Sequence, residues 1–351
     1  MLRLILLAAL SCSINVLAAD EFNVNSTELY EALTSPPIKV SEGTPAEVRL
    51  KFNSYLSDIE CSQKHSLFAA GFLGGLVSIN NINTGSEIKR IQAHANKVEI
   101  AWISDNGNVL ATTSGKDTAR FWDIHTGKQL FSAEFEPRSY PVLFKSRYLL
   151  LFGSNLSVID IETGKVQSDV IKSTGGKAVV NDKNNRLYLL YGNTIRVFNI
   201  TIDQGILYFD QTHREKLKSH GREFHWLHLI ASDNSLLVVS KRGEIIKLDS
   251  ETFKGSSVIE PEVVEKITSF NATGKHFIFS GRPKTNASNR ETRYTTSRDT
   301  IYAGSTKKGL THVLNLFTKK DAYACFKNKK EPSAIVGTMT NIVSTPLEEL
   351  K

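Results

Sequence analysis

Four histidines, His213, His220, His225 and His228, fall close together in this sequence. Neutral imidazole is a common transition-metal ligand, so a metal site is the first chemistry to weigh. The spacing argues against one. His225 and His228 share a single apolar run that reads as a strand, and an odd separation on a strand sends side chains to opposite faces. The stretch from His213 to His220, HREKLKSH, does not match the His-Glu-x-x-His spacing of zinc proteases. Ser173-Thr174-Gly175-Gly176-Lys177 looks like a phosphate loop, but it lacks the upstream Gly, and Ala178 stands where Ser or Thr is needed. Asp58, Glu99 and His228 sit on runs expected to face a central space, yet they form no recognised catalytic set. The sequence therefore points to binding rather than catalysis, with no cofactor and no metal. An enzyme or small-molecule site in that central space is the alternative.

A second candidate is electrostatic. Residues 282–309 carry Arg282, Lys284, Arg290, Arg293, Arg298, Lys307 and Lys308 against only Glu291 and Asp299, in a chain whose formal net charge is +7. Most of the net charge is thus concentrated in one stretch, read here as a long insertion. Long loops inside compact domains are usually functional or disordered. Arg290, Arg293, Arg298, Lys307 and Lys308 are the residues expected to meet an anionic partner. Only Tyr294 and Tyr302 interleave with them, too few aromatics for a single-strand stacking platform, so nucleic acid is not expected.

The elements that must hold these residues are short. Gln92–Leu130 contains three apolar runs, Val98–Ile103, Val109–Thr113 and Ala119–Ile124, separated by polar turns. Each is too short for a helix and rich in β-branched or aromatic residues, which predicts strands. The phrase that ends the third run, Phe121-Trp122-Asp123-Ile124-His125-Thr126-Gly127, recurs along the chain with its Asp or Asn at 81, 123, 160, 199, 249 and 315. The first three intervals, 42, 37 and 39 residues, are close to the about 40–45 residues of a four-stranded propeller blade. The last two, 50 and 66, predict a modest and a long insertion. Gly after Thr supplies the positive φ of a tight turn.

Residues 94–123 resemble a WD40 repeat, with a His before the first strand, then Leu110-Ala111-Thr112-Thr113-Ser114, then Phe121-Trp122-Asp123. The resemblance implies an all-β propeller of seven blades, six being the alternative count, that serves as a rigid binding platform. It also implies a structural network of His94, a hydroxyl from Thr112 or Ser114, a hairpin Asp, and Trp122. Here Lys116 occupies the expected Asp position and Asp117 comes one residue late.

The ends complete the reading. The start, MLRLILLAALSCSINVLAADEF, has Arg3, a short apolar core over Leu4–Leu10, and in Val16-Leu17-Ala18-Ala19 small residues for cleavage. It predicts a secretory signal peptide over residues 1–19, cleaved after Ala18 or Ala19, and a periplasmic or secreted protein. A lipoprotein processed at Cys12 is the alternative. No later run approaches the roughly 20 apolar residues of a membrane span. Residues 20–44 read as an extended lead-in and 45–351 as the propeller. The last two strands, Ala334–Met339 and Ile342–Ser344, are expected to pair with Ile38–Val40 and Glu47–Phe52, closing a blade from both ends. Cys61 is placed in an innermost strand and Cys325 in an outermost fourth strand, about 14 Å apart. That exceeds the about 7 Å limit between Cα atoms, so both are expected to be unpaired. The partner expected is a protein or an anionic macromolecule of the cell envelope.

Overall fold

The computed structural model describes residues 16–17, 26–37 and 49–346, apart from 105, 116, 134–139, 173–176, 219–223, 231, 260–263, 274–275, 284–299, 316–321, 329–332 and 339–340. Its strands form seven antiparallel four-stranded sheets, one of which carries a fifth strand of two residues, Val16–Leu17. Six sheets are each built from four consecutive strands. Their innermost strands are Leu56–Ser62, Glu99–Ile103, Tyr140–Phe144, Lys177–Asn181, Phe224–Ile230 and Val264–Thr273, and define blades 1 to 6. Blade 7 begins with Ala322–Asn328. Innermost strands touch between blades 1 and 2 and from blade 3 round to blade 7 and back to blade 1, and blades 2 and 3 share a hydrophobic cluster, so the sheets stand around a common centre.

Packing explains why the second strand of each blade reads as an unbroken apolar run. Leu67–Phe72, Tyr148–Phe152 and Ser235–Ser240 are buried at every residue. Both faces of a blade press on neighbours, so alternation disappears. The hydrophobic clusters lie between blades. Leu67, Ile79 and Val77 of blade 1 pack on Ile100, Leu110 and Trp122 of blade 2. Phe144, Leu150 and Phe152 of blade 3 pack on Leu187, Leu189 and Phe198 of blade 4.

A helix, Ser26–Thr34, adds a wall beside blades 2 and 3. It buries Leu29, Ala32 and Leu33 against Val109, Phe121, Phe131 and Leu149. The last carbonyls of a helix lack partners within it. Here Asn106 Nδ2 donates to Ala32 O, Leu33 O and Ser35 O at 2.8, 2.9 and 3.1 Å, and Asn108 Nδ2 to Pro36 O at 2.9 Å. Lys128 Nζ pairs with Glu28 Oε1 at 2.7 Å. The lead-in thus includes an anchored helix.

The repeated phrase has a physical role. Asp123 Oδ1 accepts from Thr126 N–H and Thr126 Oγ1–H, at 2.6 and 2.9 Å, and Gly127 follows at φ 72°. Asn81 accepts from Asn83 N–H and Thr84 N–H, and Asp160 from Glu162 N–H and Thr163 Oγ1–H, with Gly85 and Gly164 at positive φ. Asp249 caps Glu251, Thr252 and a turn in which Phe253 takes the glycine's place at φ 56°. The other two copies differ. Asn199 lies inside the long strand Thr194–Asp203, and Asn315 ends a fourth strand rather than a third.

Two expectations require correction, and one cause underlies both. Thr300–Ser305, counted within the insertion, is the third strand of blade 6, and Gly309–Asn315 is its fourth. Every later strand therefore moves one place along. Blade 7 takes three strands from one end, Ala322–Asn328, Ser333–Thr338 and Asn341–Pro346, and one from the other, Arg49–Lys51, instead of two and two. Ile38–Val40 lies outside the described residues. Cys325 accordingly sits in an innermost strand, next to that of Cys61. The two form a disulfide with Cα atoms 5.9 Å apart, overturning the expectation of free thiols. The register error came from a strand hidden beside a polar stretch.

Breaking this disulfide, by Cys61→Ser with Cys325→Ser, is expected to cost about 2–4 kcal/mol and lower Tm by several degrees in thermal unfolding. An unchanged Tm would show that backbone pairing alone seals the ring. Thr112 Oγ1 receives Trp122 Nε1–H at 2.9 Å and lies 2.9 Å from His94 Nε2, all three buried. Thr112→Val leaves two buried ring nitrogens without this partner and is expected to cost about 2–4 kcal/mol by denaturant unfolding.

Candidate functional site

The centre of the ring has two mouths with different chemistry. Near the mouth where the innermost strands begin, blade 1 presents Asp58, and Glu60 follows about 7 Å further along the same strand, toward its middle. Two residues apart, they share one face of a strand. Asp58 Oδ1 accepts from Ile59 N–H and Oδ2 from Ile100 N–H, both at 2.9 Å, which ties blade 1 to blade 2. Glu60 Oε2 accepts from Asn271 Nδ2 of blade 6 at 3.2 Å. Blade 7 lies between these blades in the ring, so this bond reaches across the central space. Lys177 of blade 4 interacts electrostatically with Glu99 and Asp58, and His225 of blade 5 with Lys241 and Lys177.

The surrounding walls set the charge states. Burial pushes Asp58 up to about 6, opposed by its two backbone hydrogen bonds. Burial and the neighbouring Asp58 push Glu60 up to about 8, so it holds a proton at neutral pH. Both side chains keep partial solvent contact, and it is enclosure by wall atoms that raises them. Burial also lowers Lys177, and it lowers His225 to about 4, helped by Lys241 and Lys177.

At the opposite mouth, where the innermost strands end, a hollow of about 530 Å³ opens between blades 1 to 5 and the end of the helix. Its walls include Trp102, Ile103, Val142, Val180 and Leu229, with Leu33 and Pro37 from the helix side and His228 from blade 5. Burial lowers His228 to about 4, so its imidazole is neutral at pH 7.

No known family profile matches the sequence, and no curated protein matches it. By fold it is similar to the β-propeller domain of Cps50 (Swd1) from Myceliophteria thermophila, with a TM-score of 0.63 over 85% of this chain and 99% of that one, at 16% identity. The fold is a β-propeller. At this identity the likeness carries the fold, and function must come from the site.

The propeller separates residues that the sequence grouped together. Arg290, Arg293 and Arg298 lie outside the described residues, in the connection between the second and third strands of blade 6. Lys307 and Lys308 lie in the turn between its third and fourth strands, at the blade's other end. Antiparallel order puts these connections on opposite faces, so the five residues do not form one loop. Ser114 is buried, and its strand partner Asp117 opens the third strand of blade 2. His213 stacks on Phe253 with ring centroids 4.5 Å apart, and His220 lies outside the described residues. A bulge between Phe224 and Trp226 changes the strand parity on which the opposite-face argument for His225 and His228 relied. They are separated instead along the strand, by about 10 Å, toward different mouths. Glu60, Lys177 and Lys241 were missed. Glu60 was signalled by its two-residue step from Asp58, whereas Lys177 was read only as part of a phosphate-loop lookalike.

The raised carboxylates predict a pH dependence. An acid whose pKa is higher in the folded state binds protons more tightly there. It stabilises the fold fully below the unfolded value, and that stability is lost as pH rises. For Glu60 the window runs from 4.5 to about 8. Glu60→Gln should therefore be more stable relative to wild type at pH 9 than at pH 4, measured by denaturant unfolding at both. A difference independent of pH would mean that Glu60 is ionised in the folded protein.

Proposed function

We propose that this propeller is an extracytoplasmic, non-enzymatic platform that binds a protein or other anionic macromolecule of the cell envelope. One observation carries the reading: the ring is sealed at its innermost strands by Cys61–Cys325. Disulfides persist in oxidising compartments and are rare in reducing ones. This agrees with the signal peptide read over residues 1–19. Among the described residues, loss of that segment would remove the two-residue strand Val16–Leu17, which pairs with Val166 and Gln167 beyond the four strands of blade 3. No helix among the described residues is long and apolar enough to cross a membrane. A rigid ring holds its connections in fixed relation, and recognition falls to those connections.

The connection bearing Arg290, Arg293 and Arg298 leaves blade 6 on the same face as the mouth holding Asp58, Glu99 and Lys177. That face is the proposed docking face for an acidic partner. Capture from an envelope fraction by the immobilised protein tests it. Reversal of Arg290, Arg293 and Arg298 to Glu is expected to reduce retention of the captured partner at least tenfold with Tm unchanged. Reversal of Lys307 and Lys308, on the other face, is expected to leave it intact. Equal retention by both variants would sink the assignment.

Asp58, which interacts with both Glu60 and Lys177, favours a second reading, a small polar ligand or substrate held in the central space beside it. It requires Glu60→Gln to alter turnover or binding of a small molecule while macromolecular capture persists.

A further inference from the structure

We propose that Asn106-Gly107 is a deamidation site that the docked helix protects, and that its reaction makes release of the helix irreversible. This goes beyond the platform reading and does not depend on it.

The chemistry is intrinsic to the pair, the only Asn-Gly in the sequence. The backbone nitrogen of Gly107 can attack Asn106 Cγ, closing a five-membered succinimide as ammonia leaves with the side-chain nitrogen. Water then opens the ring to aspartate or isoaspartate, so water is the one co-reactant. Glycine favours the first step, because no Cβ hinders the approach and its backbone turns freely. Asn counts among the thermolabile residues.

The folded chain holds the reacting groups in place. Gly107 N–H donates to Ser104 O at 2.8 Å. Asn106 Oδ1 accepts from Ser104 Oγ–H at 2.7 Å and from Asn108 N–H at 3.2 Å. On the other side of the amide, Nδ2 donates to Ala32 O, Leu33 O and Ser35 O. Cγ cannot swing onto Gly107 N without giving up bonds on both sides. The Oδ1 partners belong to the turn, and the Nδ2 partners to the helix end, so docking of the helix completes the restraint. The helix is short and rests on Leu29, Ala32 and Leu33. Elements with few buried contacts open locally before the whole fold does. Each opening frees Nδ2 and leaves the pair able to react.

Reaction replaces a donor by an acceptor. A carboxylate only accepts, and here it would face three carbonyl oxygens. The C-terminal end of a helix also carries partial negative charge, which repels it. Carbonyls left without a donor add to the cost of redocking. Isoaspartate lengthens the backbone of the same turn and moves Asn108, the donor to Ala32 O and Pro36 O. The helix therefore closes on asparagine and not on either product. Its release uncovers Val109, Phe121, Phe131 and Leu149 between blades 2 and 3.

The test follows Asn106 by peptide mass spectrometry in the purified full-length chain at mildly alkaline pH. Asn106 is expected to react at least tenfold more slowly there than in a synthetic peptide of residues 103–110. Leu29→Ala, which weakens docking, should raise the rate in the chain at least fivefold, and Leu33→Ala is the second variant should the first fail to fold. Asn106→Asp, standing for the product, should make cleavage by a glutamyl endopeptidase after Glu28 and Glu31 at least tenfold faster. Equal rates in chain and peptide, a rate unmoved by either helix variant, or cleavage of Asn106→Asp at the wild-type rate would each overturn the proposal.

Discussion

The structure depends on the pairing of Arg49–Lys51 with Asn341–Pro346, a contact of three residue pairs between the two ends of the chain. Each of the other six blades takes its four strands consecutively, with only the two-residue strand Val16–Leu17 added to blade 3 from a distance. Blade 7 alone needs a distant segment to complete its four strands, and without it the ring has two open flanks. Each flank would expose a sheet face composed, like the interior faces, of unbroken apolar strand. The short pairing is reinforced where leverage is greatest, at the innermost strands, by a disulfide across a separation of 264 residues. Leu56, Ile59, Phe68 and Phe72 of blade 1 then pack on Cys325, Ile335 and Ile342 of blade 7. Backbone pairing, a covalent bond and apolar burial thus converge on a single seam.

The architecture was legible because the turn ending the third strand of blades 1, 2, 3 and 5 is a local device. Asp or Asn caps the turn, Thr adds a second bond to the same carboxylate, and Gly supplies positive φ. None of this needs distant residues, so it survives as a readable phrase. Where the phrase fails, the reason is again local. Phe253 stands at φ 56° where its counterparts are glycines. A left-handed conformation costs an L-residue roughly 1–2 kcal/mol. The ring offsets that by burial in the core between blades 4 and 5 and by stacking on His213. A glycine would relieve the backbone and lose the packing, so the substitution is not a defect in the repeat.

What was illegible was anything set by strand count across the irregular blade. Thr300–Ser305 follows a polar, arginine-rich stretch, and its TIYAGS is a weaker strand signal than SLLVVS or YLLLF. Missing it displaced every later strand by one position. The consequence for Cys325 was qualitative, because an outermost strand and an innermost strand differ by the full width of a blade. Counting errors in repeat folds are therefore not confined to boundaries. They exchange neighbours, and the cysteine pairing is the most sensitive reporter of that exchange.

The two mouths show how one set of strands yields two chemistries. Residues near the start of the innermost strands, Asp58, Glu99 and Lys177, act on one another as charges that compensate in part, beside a neutral His225. Residues toward their ends, Ile103, Val180 and Leu229, meet as hydrocarbon. His225 and His228 belong to one strand, yet the first is held neutral chiefly by burial with help from Lys241 and Lys177, and the second by burial alone. Alternation along a strand decides which sheet face a residue serves. Its distance along the strand decides which mouth it joins, and only the closed ring gives that second coordinate a meaning. This is why Glu60 and Asn271, 211 residues apart, can bond, and why no local pattern announced that they would.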